Sequence, residues 1–163
     1  MLITFDLDDT LICWQPEIPT EPVTLPWYYM WFRTEPLRQG TVDLFKQLRN
    51  HGWQTGIYTT SHRKPGYIKR LFKLHGITLD LVVNQNEHEK IVKKLRKKRK
   101  PSKLPNWVNS MLHIDNCETV FVEGKRFHFR VLIVDPLDRN WTEKVLAESI
   151  SVARMLEQGT YRP

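Results

Sequence analysis

Three carboxylates, Asp6, Asp8 and Asp9, crowd together near the start of the chain in "ITFDLDDTLICW", with Thr10 directly behind them. The residues before Asp6 are apolar or β-branched, so the stretch reads as a buried strand that ends in acids. Two later apolar runs also close in polar groups: Thr59 and Thr60 after "GIY", and Asp115 with Asn116 after "MLHI". One acid at a strand end is an ordinary turn former. Polar groups at three strand ends point instead to a shared crevice, because ligands of parallel α/β sheets lie beyond the carboxyl ends of the strands. Carboxylates gathered in such a crevice repel one another and resist ionisation unless a cation accompanies them. A hard, oxygen-seeking ion, Mg²⁺, is the economical choice.

The elements that must position these groups can be read from the pattern. Strands are predicted over Leu2 to Asp6, Gln54 to Thr59, Leu79 to Val83, Met111 to Asp115 and Val131 to Val134, each short enough to be buried on both faces. Helical patterns lie between them. "GTVDLFKQLRNHG" offers Thr41 as N-cap, a stripe of Val42, Phe45 and Leu48, and Gly52 as a stop. "KPGYIKRLFKLHG" places Pro65 in the first turn and ends at Gly76. "NWTEKVLAESISVARMLEQG" has Asn140 and Glu143 at capping-box spacing. Residues 118 to 130 fit either a hairpin around Gly124 or a crossover helix. Strands alternating with helices predict an α/β fold with a central parallel sheet covered on both sides. His51 and His75 precede the stop glycines, at helix ends whose dipole suits an imidazole. His113 falls inside strand four as a core or supporting residue, whereas His62, His88 and His128 have no motif around them.

Length and charge bound the rest. The 163 residues, 40% hydrophobic, suit a single domain over 1–163. The first apolar run begins directly after Met1 and is too short for a secretory leader, and no run reaches membrane-spanning length, so a cytoplasmic protein without membrane contact is expected. Cys13 and Cys117 match no metal-binding spacing and read as free thiols. The net charge of +7 comes from one place. From Lys90 to Lys103, "KIVKKLRKKRKPSK" carries nine Lys and Arg and no acid; removing them leaves 16 basic against 18 acidic residues. Five consecutive basic residues at 96–100 would point to every side of a helix, so the run is solvated. It is either a solubilising face or a patch for a polyanion such as nucleic acid, through residues 93–100.

"DLDDT" resembles the DxDx[T/V] signature of the haloacid dehalogenase-like (HAD) superfamily. The hydroxyl after strand two, a downstream lysine and the strand-four acid follow in that family's order. "LRQGTVDLFKQLRNHGWQTGIYTTSHR" and "SKLPNWVNSMLHIDN" are similar to small capless members related to magnesium-dependent phosphatases. The resemblance spans nearly the whole chain. It implies a Rossmann-like three-layer sandwich with strand order 5-4-1-2-3, no separate cap domain, Mg²⁺ as cofactor and a phosphoaspartyl mechanism.

The resemblance also assigns roles. Asp6 becomes the nucleophile and a metal ligand, and Asp8 the general acid and base, its main-chain carbonyl also on the metal. Thr10 holds the turn, and Asp9 is an exposed turn residue. Thr59 binds phosphate, with Thr60 or Ser61 as alternatives. Lys103 is the phosphate-binding cation because it precedes strand four in "SKLP"; Lys90, Lys93, Lys94 and Lys100 compete for the role. Asp115 reaches the metal. Where many relatives carry a second acid this chain has Asn116, with Glu118 two residues on, and weaker metal affinity is one consequence.

Residues 11–40 form a flap or insert too short for a cap domain. Its aromatics Trp14, Trp27, Tyr28, Tyr29, Trp31 and Phe32 are suited to packing beneath the flap or a dimer contact, or else to stacking on bases or binding a hydrophobic leaving group. The expected function is a Mg²⁺-dependent phosphohydrolase whose open site takes a phosphorylated, polyanionic substrate. The rival is a nucleic-acid-binding protein on the same scaffold with weakened or lost catalysis.

Overall fold

A computed structural model describes residues 1–22, 34–93 and 100–163. The flap aromatics at 27–32 and the basic residues at 94–99 lie outside them. Five strands, β1 (Leu2–Phe5), β2 (Gln54–Tyr58), β3 (Leu81–Val83), β4 (Ser110–Asp115) and β5 (Val131–Ile133), form one sheet in the order β3-β2-β1-β4-β5. Every pairing is parallel. Helices α1 (Thr41–Asn50), α2 (Pro65–Leu74), α3 (Gln85–Lys93), α4 (Glu118–Phe127) and α5 (Trp141–Glu157) alternate with the strands, and a 3₁₀ turn at Pro105–Val108 leads into β4. The architecture is the expected Rossmann-like α/β sandwich. Among the described residues, no helix is long and apolar enough to cross a membrane.

The chain runs outward from β1 through β2 to β3, then returns to lay β4 against the other side of β1. The strand order therefore reverses between β1 and β4, which is where an α/β sheet opens a crevice. Their register pairs Phe5 with Ile114, and the amide of Asp6 donates to Ile114 O at 2.8 Å. Asp6 and Asp115 thus leave adjacent strands side by side. Beneath them Ile3, Phe5, Ile57, Leu112 and Ile114 are buried, with the Phe5 ring 4.9 Å from Phe45 of α1 and Phe45 5.9 Å from Phe72 of α2. That apolar floor fixes the strand ends.

Several local expectations change. Thr41 is the first residue of α1 and not its N-cap; Gly40, at φ 88°, holds the cap position, and the Thr41 hydroxyl donates back to Arg38 O at 2.6 Å. Asn140 occupies the N-cap of α5, but its side chain makes no capping bond, so the capping box with Glu143 does not form. Its amide donates instead to Asp138 Oδ1 at 2.9 Å, a local Asx turn. Of residues 118–130, Glu118–Phe127 form α4 and not a hairpin, because joining β4 to a parallel β5 requires a crossover. The flap is pinned at both ends by isolated antiparallel bridges, Ile12 to Leu37 and Thr20 to Arg38. Both cysteines are free, and burial pushes the Cys13 thiol up to about 11.

Candidate active site

The acids of the first loop are held by the apolar residues between them. Leu7, Leu11 and Ile12 are buried, and the amides of Leu11 and Ile12 both donate to Leu7 O, at 3.0 and 2.8 Å. This tight turn leaves Asp8 half-exposed and Asp9 exposed, the latter at φ 56°, a left-handed conformation that aspartate tolerates. Thr10 is buried, and its hydroxyl donates to Asn116 Oδ1 at 3.2 Å. The loop after β1 is thereby tied to the loop after β4.

Lys103 enters the crevice from the segment before the 3₁₀ turn. It is 3% exposed, and its Nζ lies 2.6 Å from Asp6 Oδ1 and 2.6 Å from Asp115 Oδ2. Behind Asp115, His113 Nε2 approaches the same Oδ2 at 3.0 Å, while the Cys117 amide donates to Oδ1 at 2.9 Å. His113 Nδ1 meets Thr4 Oγ1 at 3.0 Å, and Thr4 meets Ser110 Oγ at 2.8 Å. The two carboxylates are driven apart electrostatically. Burial raises both, but His113 and Lys103 outweigh it at Asp115 and hold that carboxyl well below the usual range. At Asp6 burial prevails over Lys103, with Asp115 adding repulsion, and its pKa rises. Burial alone would lower Lys103, yet Asp6 and Asp115 raise it above the ordinary lysine value. Burial holds His113 below the usual histidine range.

Thr59 follows β2 directly and is buried, its Oγ1 accepting the Ser61 amide at 3.1 Å. Thr60 is exposed and lines a separate cavity with residues of α3 and of 100–102. Asn116 is occupied by Thr10. Glu118 is exposed in the first turn of α4, and no hydrogen bond or ion pair among the described residues ties it to Asp115. Lys90 pairs with Glu87 at 2.7 Å, Lys93 and Lys100 are exposed, and Lys94 lies outside the described residues. Among the described lysines considered, it is Lys103 that meets both carboxylates.

Arg63 and Glu35 were not singled out from the sequence. Arg63 Nη1 lies 2.9 Å from the Asp8 carboxylate and 2.8 Å from Ser61 Oγ, while Nη2 and Nε meet the two Glu35 oxygens at 2.6 and 2.9 Å. Tyr67 donates to Glu35 Oε1 at 2.8 Å. Burial by itself would lower the guanidinium, but Glu35 and Asp8 raise it. The available signal was a cation just past a strand end, in "TTSHR"; its partner Glu35 comes from the flap, which no local pattern connects to it.

The donor chemistry can be tested against Mg²⁺. Among the described residues, no group of three or more His, Cys, Asp or Glu is placed to hold a metal ion, which argues against a closed cage. Asp6 and Asp115 nevertheless share one crevice, and the buried Asp6 Oδ1, although close to Lys103, has no aligned hydrogen bond. Mg²⁺ commonly takes one or two carboxylates and completes its shell with water and substrate phosphate. Two hard carboxylates, one with unfilled acceptor capacity, fit that habit.

No protein-family model matches the chain, and no curated protein matches it. Fold and geometry define a class: a parallel α/β protein with a buried Asp–Lys–Asp cluster at the reversal point of its sheet.

Proposed function

We propose that the chain is a capless, Mg²⁺-dependent phosphohydrolase of the HAD type, working through an aspartyl phosphate. The observation that carries this reading is the Lys103 ammonium, buried and 2.6 Å from both Asp6 and Asp115 where the strand order reverses. In this reading Asp6 attacks phosphorus, a new O–P bond forms and the bond to the ester oxygen breaks. Asp8 supplies the proton for the leaving oxygen, then removes one from the water that cleaves the aspartyl phosphate. Thr59 and Lys103 hold the phosphate oxygens, His113 and the Cys117 amide orient Asp115, and Arg63 orients Asp8. Asp6, Asp115 and the main-chain carbonyl of Asp8 would hold Mg²⁺, which when bound offsets the charge of carboxylates and phosphate. A cytoplasmic location belongs to this reading.

Release of phosphate from an aryl phosphate, with and without Mg²⁺, tests it. Activity should require the ion, and Asp6→Asn should lower kcat by a factor on the order of 10⁴ or more, as loss of a nucleophile does elsewhere, with the fold retained. Undiminished turnover in that variant would sink the mechanism. The rival reading, nucleic-acid binding without turnover, draws on the basic run and on Asn116, and it predicts no release from the parent protein.

A further inference from the structure

We propose that the cavity between α3 and residues 100–102 docks the nucleotide adjoining the terminal phosphate of a single-stranded nucleic acid, a substrate assignment that rests on the phosphohydrolase reading. The cavity is about 550 Å³, within the range of small-ligand sites, and is lined by Thr60, Lys93, Lys100 and Ser102 among others. Two of these are chain neighbours of the proposed phosphate groups: Thr60 follows Thr59, and Ser102 precedes Lys103. The cavity and the crevice at Asp6 thus draw on the same two chain segments, the one that follows β2 and the one that precedes the 3₁₀ turn.

The charges in the wall decide what that occupant is. Glu123 is spent on Ser102, accepting its amide at 3.0 and 2.9 Å and its hydroxyl at 2.5 Å. His88 is spent as well. Its Nε2 must donate to Pro101 O at 3.1 Å, so Nδ1 accepts from Tyr58 OH at 2.8 Å. Glu89 is exposed and, among the described residues, receives a 3.3 Å bond from Gln85. Lys93 and Lys100 are exposed, with no ion-pair partner among the described residues. A lone phosphate ester needs none of this charge. A chain that repeats phosphate and nucleoside uses all of it: one phosphate in the crevice, its nucleoside in the cavity, and the following phosphates on the ammonium groups.

Anisotropy of a labelled oligothymidylate, phosphorylated at its 5′ or 3′ end, reads binding by the full chain carrying Asp6→Asn, with no turnover. Each phosphate contact to a single strand contributes a slope of about −0.7 in log affinity against log salt, so Lys93→Ser with Lys100→Ser should flatten the slope by about 1.4. Lys93→Arg with Lys100→Arg should restore it. Glu89→Gln should tighten binding about threefold, the effect of removing one like charge about 6 Å away in water. An unchanged slope in the double Ser variant overturns the proposal, as does equal affinity and slope for an acidic peptide of the same charge. The two readings fail separately: a parent chain inert toward aryl phosphates but showing these slopes retires the hydrolase, whereas an active chain with an unchanged slope retires the docking site alone.

Discussion

Lys103 sits between two carboxylates in a place where water scarcely reaches, and each charge there survives because of the others. Desolvating an ion costs several kcal/mol, and removing one partner of a buried pair typically destabilises by about 3–5 kcal/mol. Lys103→Met should therefore lower unfolding free energy at neutral pH by about that amount in urea titrations. The pH dependence carries the sign. Lys103 has a raised pKa, so its stabilisation is complete below 10.5 and is lost as pH rises through the folded value. Asp115 has a lowered pKa, so its contribution is present above 3.8 and is lost as pH falls through the folded value. Asp6 is raised, and its ionisation costs stability increasingly from 3.8 upward. Without the ammonium, two facing carboxylates repel, and protonation relieves them. The deficit of Lys103→Met should shrink between pH 7 and 4; a constant deficit would show that the side chain contributes packing and no charge.

Helix α4 illustrates how an element can contradict its own residues. Glycine in mid-helix costs about 1 kcal/mol relative to alanine, and Gly124 lies well inside Glu118–Phe127. Its use there is contact. A Cβ at this position would stand 2.7 Å from Phe129 O and 2.9 Å from Val131 Cγ2, where the chain turns from α4 into β5. Overpacking of that kind costs about 1–3 kcal/mol, with a backbone oxygen that cannot swing aside. Gly124→Ala should consequently lower the urea midpoint, the clash outweighing the gain in helix propensity; a raised midpoint would mean that α4 can shift outward freely. The same glycine left the segment open between hairpin and helix, because a turn and a close approach both require a residue without Cβ.

Across the whole molecule, stability should be centred on β1. It is hydrogen-bonded to neighbours on both sides, β2 and β4, and its Ile3 and Phe5 are fully buried, whereas β3 and β5 are three-residue strands at the two edges. Native-state hydrogen exchange should find the β1 amides opening only with global unfolding and those of β3 and β5 opening earlier. β1 exchanging as early as β3 would put the stability centre elsewhere. Periodicity and turn residues were enough to reveal all five strands to within two residues, the parallel sheet and the strand ends that carry Asp6, Thr59 and Asp115, since burial on both faces writes itself locally as apolar runs. The strand order and the choice of Lys103 came from the motif's resemblance to a family, and local composition could not separate that lysine from its neighbours in the basic run. Only the folded chain decided the rest. Arg63 meets Glu35 and Asp8 across 28 and 55 residues, Thr10 meets Asn116 across 106, and Thr4 meets His113 across 109. Such pairings have no period and no spacing to read, because they depend on which loops the sheet brings to one edge; the amino-acid sequence determined that acids would gather there, and tertiary packing decided which cations and hydroxyls would meet them.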